Sequence, residues 1–282
     1  MTRKLANYLL LMRVDKPIGV LLLLWPTLTA FFLITKGSPD IKLIFIFIVG
    51  TFLMRSAGCV INDYFDKNFD GKVKRTKNRP LVTGVVSSTE ALIIFFILIS
   101  LSSTLLIWTN LQTFIAALFG LLVAIIYPLS KRFFSFPQLF LGIAFSWGVI
   151  MVSAAENHLL SIVSITCFFA CFFWIQAYDT EYALCDKEDD LSIGIGSSAI
   201  FLDKNVQLFI ILFHLMSLSL WSLAGYLAEV SKIYYFAIFI SLLFCFYQYY
   251  LIKDFDAKDC LLAFKNNNWV GLIIFIGSVS GT

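Results

Sequence analysis

Apolar runs separated by polar breaks set the architecture of this chain before any single residue does. Nine runs are long enough to be read as helices crossing an apolar layer: residues 18–35, 41–62, 90–109, 111–129, 137–154, 159–178, 205–227, 233–252 and 268–281, the last of them short. A spanning helix needs about 20 mostly apolar residues, so runs of this length point to membrane passage and not to a water-facing core. The short breaks, such as Lys36-Gly37-Ser38-Pro39-Asp40 and Glu156-Asn157-His158, are turn-like. Three breaks are long: 63–89, 179–204 and 253–267. With nine crossings all three fall on the side of the N-terminus, and the two termini lie on opposite sides. The expected fold is all-α, a polytopic bundle of about nine transmembrane helices forming one membrane-embedded unit over 1–282.

Composition agrees and charge orients the bundle. Of 282 residues, 60% are hydrophobic, only 14% are charged and 30 are Phe; a soluble chain carries roughly a quarter charged residues. Of the 21 Lys and Arg residues, all but Lys36, Lys42 and Lys232 fall on the N-terminal side. The positive-inside rule makes that side cytoplasmic. The acids follow the bases, leaving only Asp40, Glu156 and Glu229 outside. Membrane lipid is therefore the surrounding medium, and the cytoplasmic face the place for chemistry. The first apolar run follows several charges and precedes no small-residue cleavage pattern, so no cleaved leader is expected. Six Cys have no framework spacing and read as small hydrophobes, and two His cannot build a His-rich site. Any metal here would be held by carboxylates. No nucleic-acid partner is expected.

The first long break carries the candidate chemistry. Asn62, Asp66 and Asp70 stand at i, i+4 and i+8, so on a helix they share one face. Aligned carboxylates repel unless something positive lies between them, and a divalent cation with oxygen ligands is the simplest candidate. Lys72, Lys74, Arg75, Lys77 and Arg79 follow, which suggests that the metal arrives with an anion of several charges, such as a diphosphate. Positive-inside topology accounts for bases there as well, but not for acids at helical spacing. The second long break repeats the pattern: Tyr182, Asp186 and Asp190 have the same spacing, with Asp179 on roughly the same face. One such cluster alone is readily a solvated helix end. Two with matching spacing on one side suggest facing helices with Mg²⁺ between them.

Arg55 is the third informative residue. It precedes Asn62 by seven residues, on nearly the same face about two turns deeper. An ionisable group at membrane depth marks a functional site by default, although a long side chain can also snorkel to the interface. The functional reading is a salt bridge to an anionic acceptor, with the planar guanidinium matched to a carboxylate.

Met12-Arg13-Val14-Asp15-Lys16-Pro17-Ile18-Gly19, Leu22-Leu23-Leu24-Trp25-Pro26-Thr27, Arg55-Ser56-Ala57-Gly58-Cys59-Val60-Ile61-Asn62-Asp63 and Ala177-Tyr178-Asp179-Thr180-Glu181-Tyr182-Ala183 resemble the UbiA superfamily of intramembrane aromatic prenyltransferases. The resemblance runs from Met12 to about Gly271, and the Arg13-to-Thr27 and Arg55 stretches point to its hydroxybenzoate branch. It implies a nine-helix bundle with a cytoplasmic cap over the active site. It also implies Mg²⁺-diphosphate binding by Asp66 and Asp70 on one side and by Asp186 and Asp190 on the other. Asn62 and Tyr182 would line the same site, Arg75 and Arg79 would contact diphosphate, and Arg55 would face the acceptor. The implied reaction joins a polyprenyl diphosphate to 4-hydroxybenzoate ortho to its hydroxyl, in ubiquinone synthesis.

One stretch departs from the family pattern. Where related sequences carry Lys in a K-x-G-I-K-S pattern, this chain has Ser192-Ile193-Gly194-Ile195-Gly196-Ser197. Lys187, Lys131 or the first loop would then supply the missing positive charge. The alternatives are a relative with a naphthoate, haem or chlorophyll-type acceptor and, from another class, a cation transporter with acidic gates. A carboxylate acceptor wants a cation at the depth of Arg55, and transporters usually place acids near mid-membrane, where the nine runs hold none.

Overall fold

A computed structural model describes residues 3–130, 134–194 and 196–282, and among these every regular element is a helix. In chain order they are α1 (Arg3–Leu11), α2 (Ile18–Ile34), α3 (Ile41–Asp70), α4 (Ser88–Leu105), α5 (Leu111–Ser130), α6 (Gln138–Ala155), α7 (Ile162–Leu184), α8 (Lys187–Ile193), α9 (Ser198–Leu202), α10 (Val206–Leu227), α11 (Lys232–Leu251) and α12 (Ala257–Gly281). Among the described residues, eight are long and apolar enough to cross a membrane, α3 to α7 and α10 to α12; α2 is a ninth, shorter apolar helix. This is the polytopic all-α bundle that the apolar runs predict.

Three helix ends lie beyond the limits of the apolar runs, each for a local reason. α3 continues past residue 62 to Asp70, because the acids that end the apolar run sit at helical spacing and face a common interior. α7 runs to Leu184 and not 178, and so takes in Glu181, which is fully buried and accepts from Asn267 Nδ2 at 2.8 Å. α12 starts at Ala257, well before 268, where Asp256 accepts from the backbone N–H groups of Lys258 and Asp259 at 2.8 and 3.3 Å. Its first turns are polar because they bond inward. Asn266 Oδ1 accepts from Gln248 (2.9 Å), Asn267 Oδ1 from Trp174 (2.8 Å) and Asn268 Oδ1 from Trp25 (2.9 Å). Hydropathy reads such residues as loop, whereas paired side chains at a helix interface remove the cost of burial.

α2 packs on α3, α6 and α12; α5 packs on α3 and α6; α7 packs on α6, α10 and α12. Seven helices, α2 to α7 and α12, surround a common interior, while α10 and α11 cover the backs of α7 and α12. α12 comes close because Gly271 has no side chain: a Cβ there would lie 2.7 Å from Trp174 and 2.8 Å from Trp25. Outward faces, including Phe96, Leu122 and Phe236, are exposed and apolar, as lipid contact requires.

The polar ends are segregated. At one end Arg13 meets Asp63, and the loop after α3 meets the end of α7 through Arg75 and Asp186. At the other, Lys36 pairs with Glu229 (2.6 Å), and the carbonyl of Gly281 accepts from the N–H of Ser231. The described ends of the chain therefore lie at opposite ends of the bundle.

Candidate active site

One cavity of about 1010 Å³ occupies the interior. Its mouth carries Asp66, Asp70, Asp179, Asp186, Asp190, Arg75 and Arg79; Asn62, Tyr182 and Arg55 line it as well. The far end is mainly apolar, with Leu105, Phe114, Leu121 and Trp147 among the hydroxyls of Ser102, Ser103, Thr109 and Thr113. Of the candidate bases read from the sequence, Lys72, Lys74 and Lys77 are not in the lining, and Lys131 lies outside the described residues. Lys187 pairs with Asp203 at 3.4 Å and is not in the lining.

The first wall is the last two turns of α3. Asn62 Oδ1 is buried there with no hydrogen-bond partner. Asp70 Oδ2 accepts from Arg79 Nη1 at 2.6 Å, and the Asp70 carbonyl accepts from the Thr76 hydroxyl at 2.8 Å, which folds the following loop back over the helix end. Asp63 is the residue the sequence reading missed on this wall. It is 2% exposed, accepts from Arg13 Nη2 at 3.0 Å with both oxygens, and stands 2.9 Å from Arg79 Nη1. Arg13 reaches it from the turn between α1 and α2, where its φ is +59°. A non-glycine residue in that left-handed region costs about 1–2 kcal/mol, and the paired guanidinium and carboxylate offset it. A hint was present in the sequence: Arg13 and Asp63 both belong to the stretches that carry the resemblance.

The second wall is not one continuous helix, which corrects the spacing argument. α7 ends at Leu184, so Tyr182 lies on α7, Asp186 stands at the head of α8 (φ −110°, ψ 3°) and Asp190 lies within α8. The chain turns while keeping near-helical bonds, Asp186 N–H to Ala183 O at 3.2 Å and Asp190 N–H to Asp186 O at 2.8 Å. All three residues still face the cavity. Arg75 crosses from the first wall: its Nε donates to Asp186 Oδ1 at 3.0 Å, its Nη2 pairs with Oδ2, and its guanidinium lies 4.6 Å over the Tyr182 ring. Tyr182 in turn packs on Phe264 of α12, with ring centroids 4.7 Å apart.

Burial works against the charge on Arg75 and Arg79. Tyr182 and Asp186 around the first, and Asp63 and Asp70 around the second, outweigh it and hold both pKa values above the ordinary arginine value. Both stay cationic at any working pH. The neighbouring Cys185 thiol is pushed up to about 12 by burial and by Asp186, and so stays protonated.

Deeper in, Arg55 is held in a slot. Its Nε donates to the Gly19 carbonyl at 3.2 Å, its Nη1 to Cys59 Sγ at 2.9 Å, and its guanidinium lies 5.6 Å from the Phe145 ring centroid. It does not snorkel out of the cavity; it lines it. Tyr178, Lys265 and Asn268 line it too, and the sequence reading singled out none of them. Tyr178 is 2% exposed, its ring is set edge-on by Trp174 (5.2 Å), and its hydroxyl has no partner. Lys265 is a base that the expected loop at 253–267 concealed.

The donor set suits a hard divalent cation. Among the described residues no three Asp, Glu, His or Cys side chains converge on one point. The oxygens instead come from opposite sides, Asp66, Asp70 and the unpartnered Asn62 oxygen from one and Asp186 and Asp190 from the other. Mg²⁺ is usually held by one or two carboxylates, with waters and substrate phosphates completing its shell.

The UbiA prenyltransferase family model matches residues 23–276. A 4-hydroxybenzoate octaprenyltransferase of Psychromonas ingrahamii is 47% identical over 278 residues, 99% of this chain and 97% of that protein. One from Tolumonas auensis is 46% identical over 271 residues, covering 96% and 94%. Among solved structures, the apo UbiA homolog from Aeropyrum pernix has a TM-score of 0.78 at 21% identity, covering 92% of this chain and 97% of that one. The homolog from Archaeoglobus fulgidus bound to GPP and Mg²⁺ has a TM-score of 0.72 at 19% identity, covering 97% and 99%. The distant structures share the fold; the family model and the near-half identity over whole chains go further, and this chain belongs to the UbiA prenyltransferase family.

Proposed function

We propose that this chain transfers a polyprenyl group from an allylic polyprenyl diphosphate to 4-hydroxybenzoate, at the ring carbon ortho to the hydroxyl, in ubiquinone synthesis. The observation that carries the reading is a single cavity with acids and arginines at its mouth, Arg55 deeper, and a mainly apolar far end. Relatives at 47% and 46% identity named 4-hydroxybenzoate octaprenyltransferase support both the acceptor and a long donor. By charge bias, the mouth and the N-terminus face the cytoplasm across a bacterial inner membrane.

Asp66 and Asp70 on one wall, and Asp186 and Asp190 on the other, would hold Mg²⁺ with the donor's diphosphate. The metal would shield the diphosphate charge and make it a better leaving group. Arg75 and Arg79 exchange their carboxylate partners for diphosphate oxygens and steady the charge that grows there as the C–O bond breaks. The leaving diphosphate takes the bonding pair, and the allyl group is left electron-poor. The apolar lining keeps water away from it. Arg55 holds the acceptor's carboxylate so that the electron-rich carbon beside the hydroxyl faces the allyl group. A C–C bond forms, and the ring proton then passes to the released diphosphate, which restores the aromatic ring.

The test is a membrane assay with 4-hydroxybenzoate and prenyl diphosphates of increasing length, with and without Mg²⁺. Product that needs all three components supports the reading. Transfer to a non-carboxylate acceptor at equal efficiency, or transfer unaffected by chelation, overturns it.

A further inference from the structure

We propose that Gly19 is a positioning residue for the acceptor: the absence of a side chain there keeps the Arg55 head group in the orientation that a carboxylate needs. The inference rests on reading Arg55 as the acceptor's partner. Gly19 is the second residue of α2, and its carbonyl accepts from Arg55 Nε at 3.2 Å. A Cβ built on Gly19 would lie 2.7 Å from Arg55 Nη2, 2.8 Å from Nε and 3.2 Å from Cζ. Its three nearest neighbours would all be atoms of that one guanidinium.

This arrangement separates the needs of the fold from those of the site. Where a glycine lets two backbones approach, a methyl group pushes the helices apart. Here its three nearest neighbours would belong to the far end of a long side chain, which can swing away at little cost to packing. Gly19 lies in a helix, and its φ is not in the left-handed region, so alanine fits the backbone and is the better helix former. The fold therefore gains nothing from glycine at this position. Arg55 does. Cys59 Sγ takes Nη1 and the Gly19 carbonyl takes Nε, so Nη2 has no protein acceptor among the described residues. Nη2 is the nitrogen that the added methyl group would strike hardest. A guanidinium offers a carboxylate two parallel N–H groups, and tilting it destroys that match.

The experiment is steady-state prenyl transfer by the Gly19→Ala variant, with both substrates varied and thermal melting recorded in parallel. KM for 4-hydroxybenzoate is expected to rise roughly tenfold or more, as misplacing a positioning group by about an ångström does. KM for the prenyl diphosphate stays within about twofold, and Tm does not fall. Gly19→Ser carries the same Cβ and must reproduce the effect if the alanine variant inserts poorly. An unchanged acceptor KM, or an equal rise for both substrates, overturns the inference. Arg55→Ala, assayed alongside, separates the two levels. If it leaves the acceptor KM alone, the reading of Arg55 fails. If it raises that KM while Gly19→Ala does not, Arg55 keeps its role and only the inference about Gly19 falls. In the double variant, Gly19→Ala adds nothing beyond Arg55→Ala, because a group that acts only through another has no effect once that other is gone.

Discussion

Arg79 Nη1 stands 2.6 Å from Asp70 Oδ2 while also reaching Asp63 Oδ1 at 2.9 Å. One nitrogen is thus shared between a carboxylate on the cavity face of α3 and one that is 2% exposed. Asp63 fixes where Arg79 sits, and Arg13 fixes Asp63 from its other side. Asp63→Asn keeps the shape but leaves two guanidinium groups short of a counter-charge. Breaking such a pair costs about 3 kcal/mol. The expected outcome is a clear drop in Tm together with a rise in the donor's KM, read by melting and by kinetics on the same preparation. A variant that loses stability with its donor KM intact would confine Asp63 to the fold.

Removing a carboxylate from either wall should act differently. Asp66→Ala or Asp186→Ala is expected to cut Mg²⁺-dependent transfer by about a hundredfold or more, the scale on which a positioned electrostatic group matters. Both proteins should still insert and fold, because these acids stand at the mouth and not among the packed helices. Near-normal turnover in both variants would sink the assignment of the metal.

Arg75 spans the two walls in a way that Lys cannot copy. It pairs with Asp186 through Nε and Nη2, and its guanidinium carbon lies over the Tyr182 ring at 4.6 Å. A lysine keeps the charge but loses both the fork and the stacked plane. Arg75→Lys should raise the donor's KM about tenfold, in line with losing a charge-assisted hydrogen bond, and leave the acceptor's KM alone. A loss of the same size in Tyr182→Leu, with no further loss in the double variant, would show that the ring acts by holding Arg75.

The sequence made the helices and the two acid clusters legible, because hydropathy and i, i+4 spacing are local signals. It missed what depends on partners. Asp63 sits next to Asn62 in the chain, yet a residue one step along a helix points about 100° away, so nothing local links it to Arg13, fifty residues earlier. Lys265 was hidden for the opposite reason. The polar start of α12 reads as a loop until Trp25, Trp174 and Gln248 are seen to satisfy its asparagines. The matching spacing of the second cluster suggested one helix, whereas the chain breaks at Cys185 and Asp186 and still brings Asp190 to the cavity. Lys265→Ala should weaken donor binding several-fold if this base compensates for the residues Ser192 and Gly196. KM for the diphosphate substrate checks it.

The apolar end of the cavity makes a prediction that depends on distance. α5 runs from Leu111, at the far end, toward Ser130, near the mouth, and both Ala117 and Ala124 line the cavity. Seven helical residues separate them by about 10 Å along the axis. If the donor's tail runs along α5, a bulky side chain at Ala124 obstructs it nearer the reacting carbon than one at Ala117. Ala124→Phe should therefore restrict transfer to shorter donors than Ala117→Phe does, while both variants keep the native KM for 4-hydroxybenzoate. An assay of each variant across prenyl diphosphates of increasing length reads the cut-off directly. Identical cut-offs, or losses independent of length, would place the tail against another wall of the bundle.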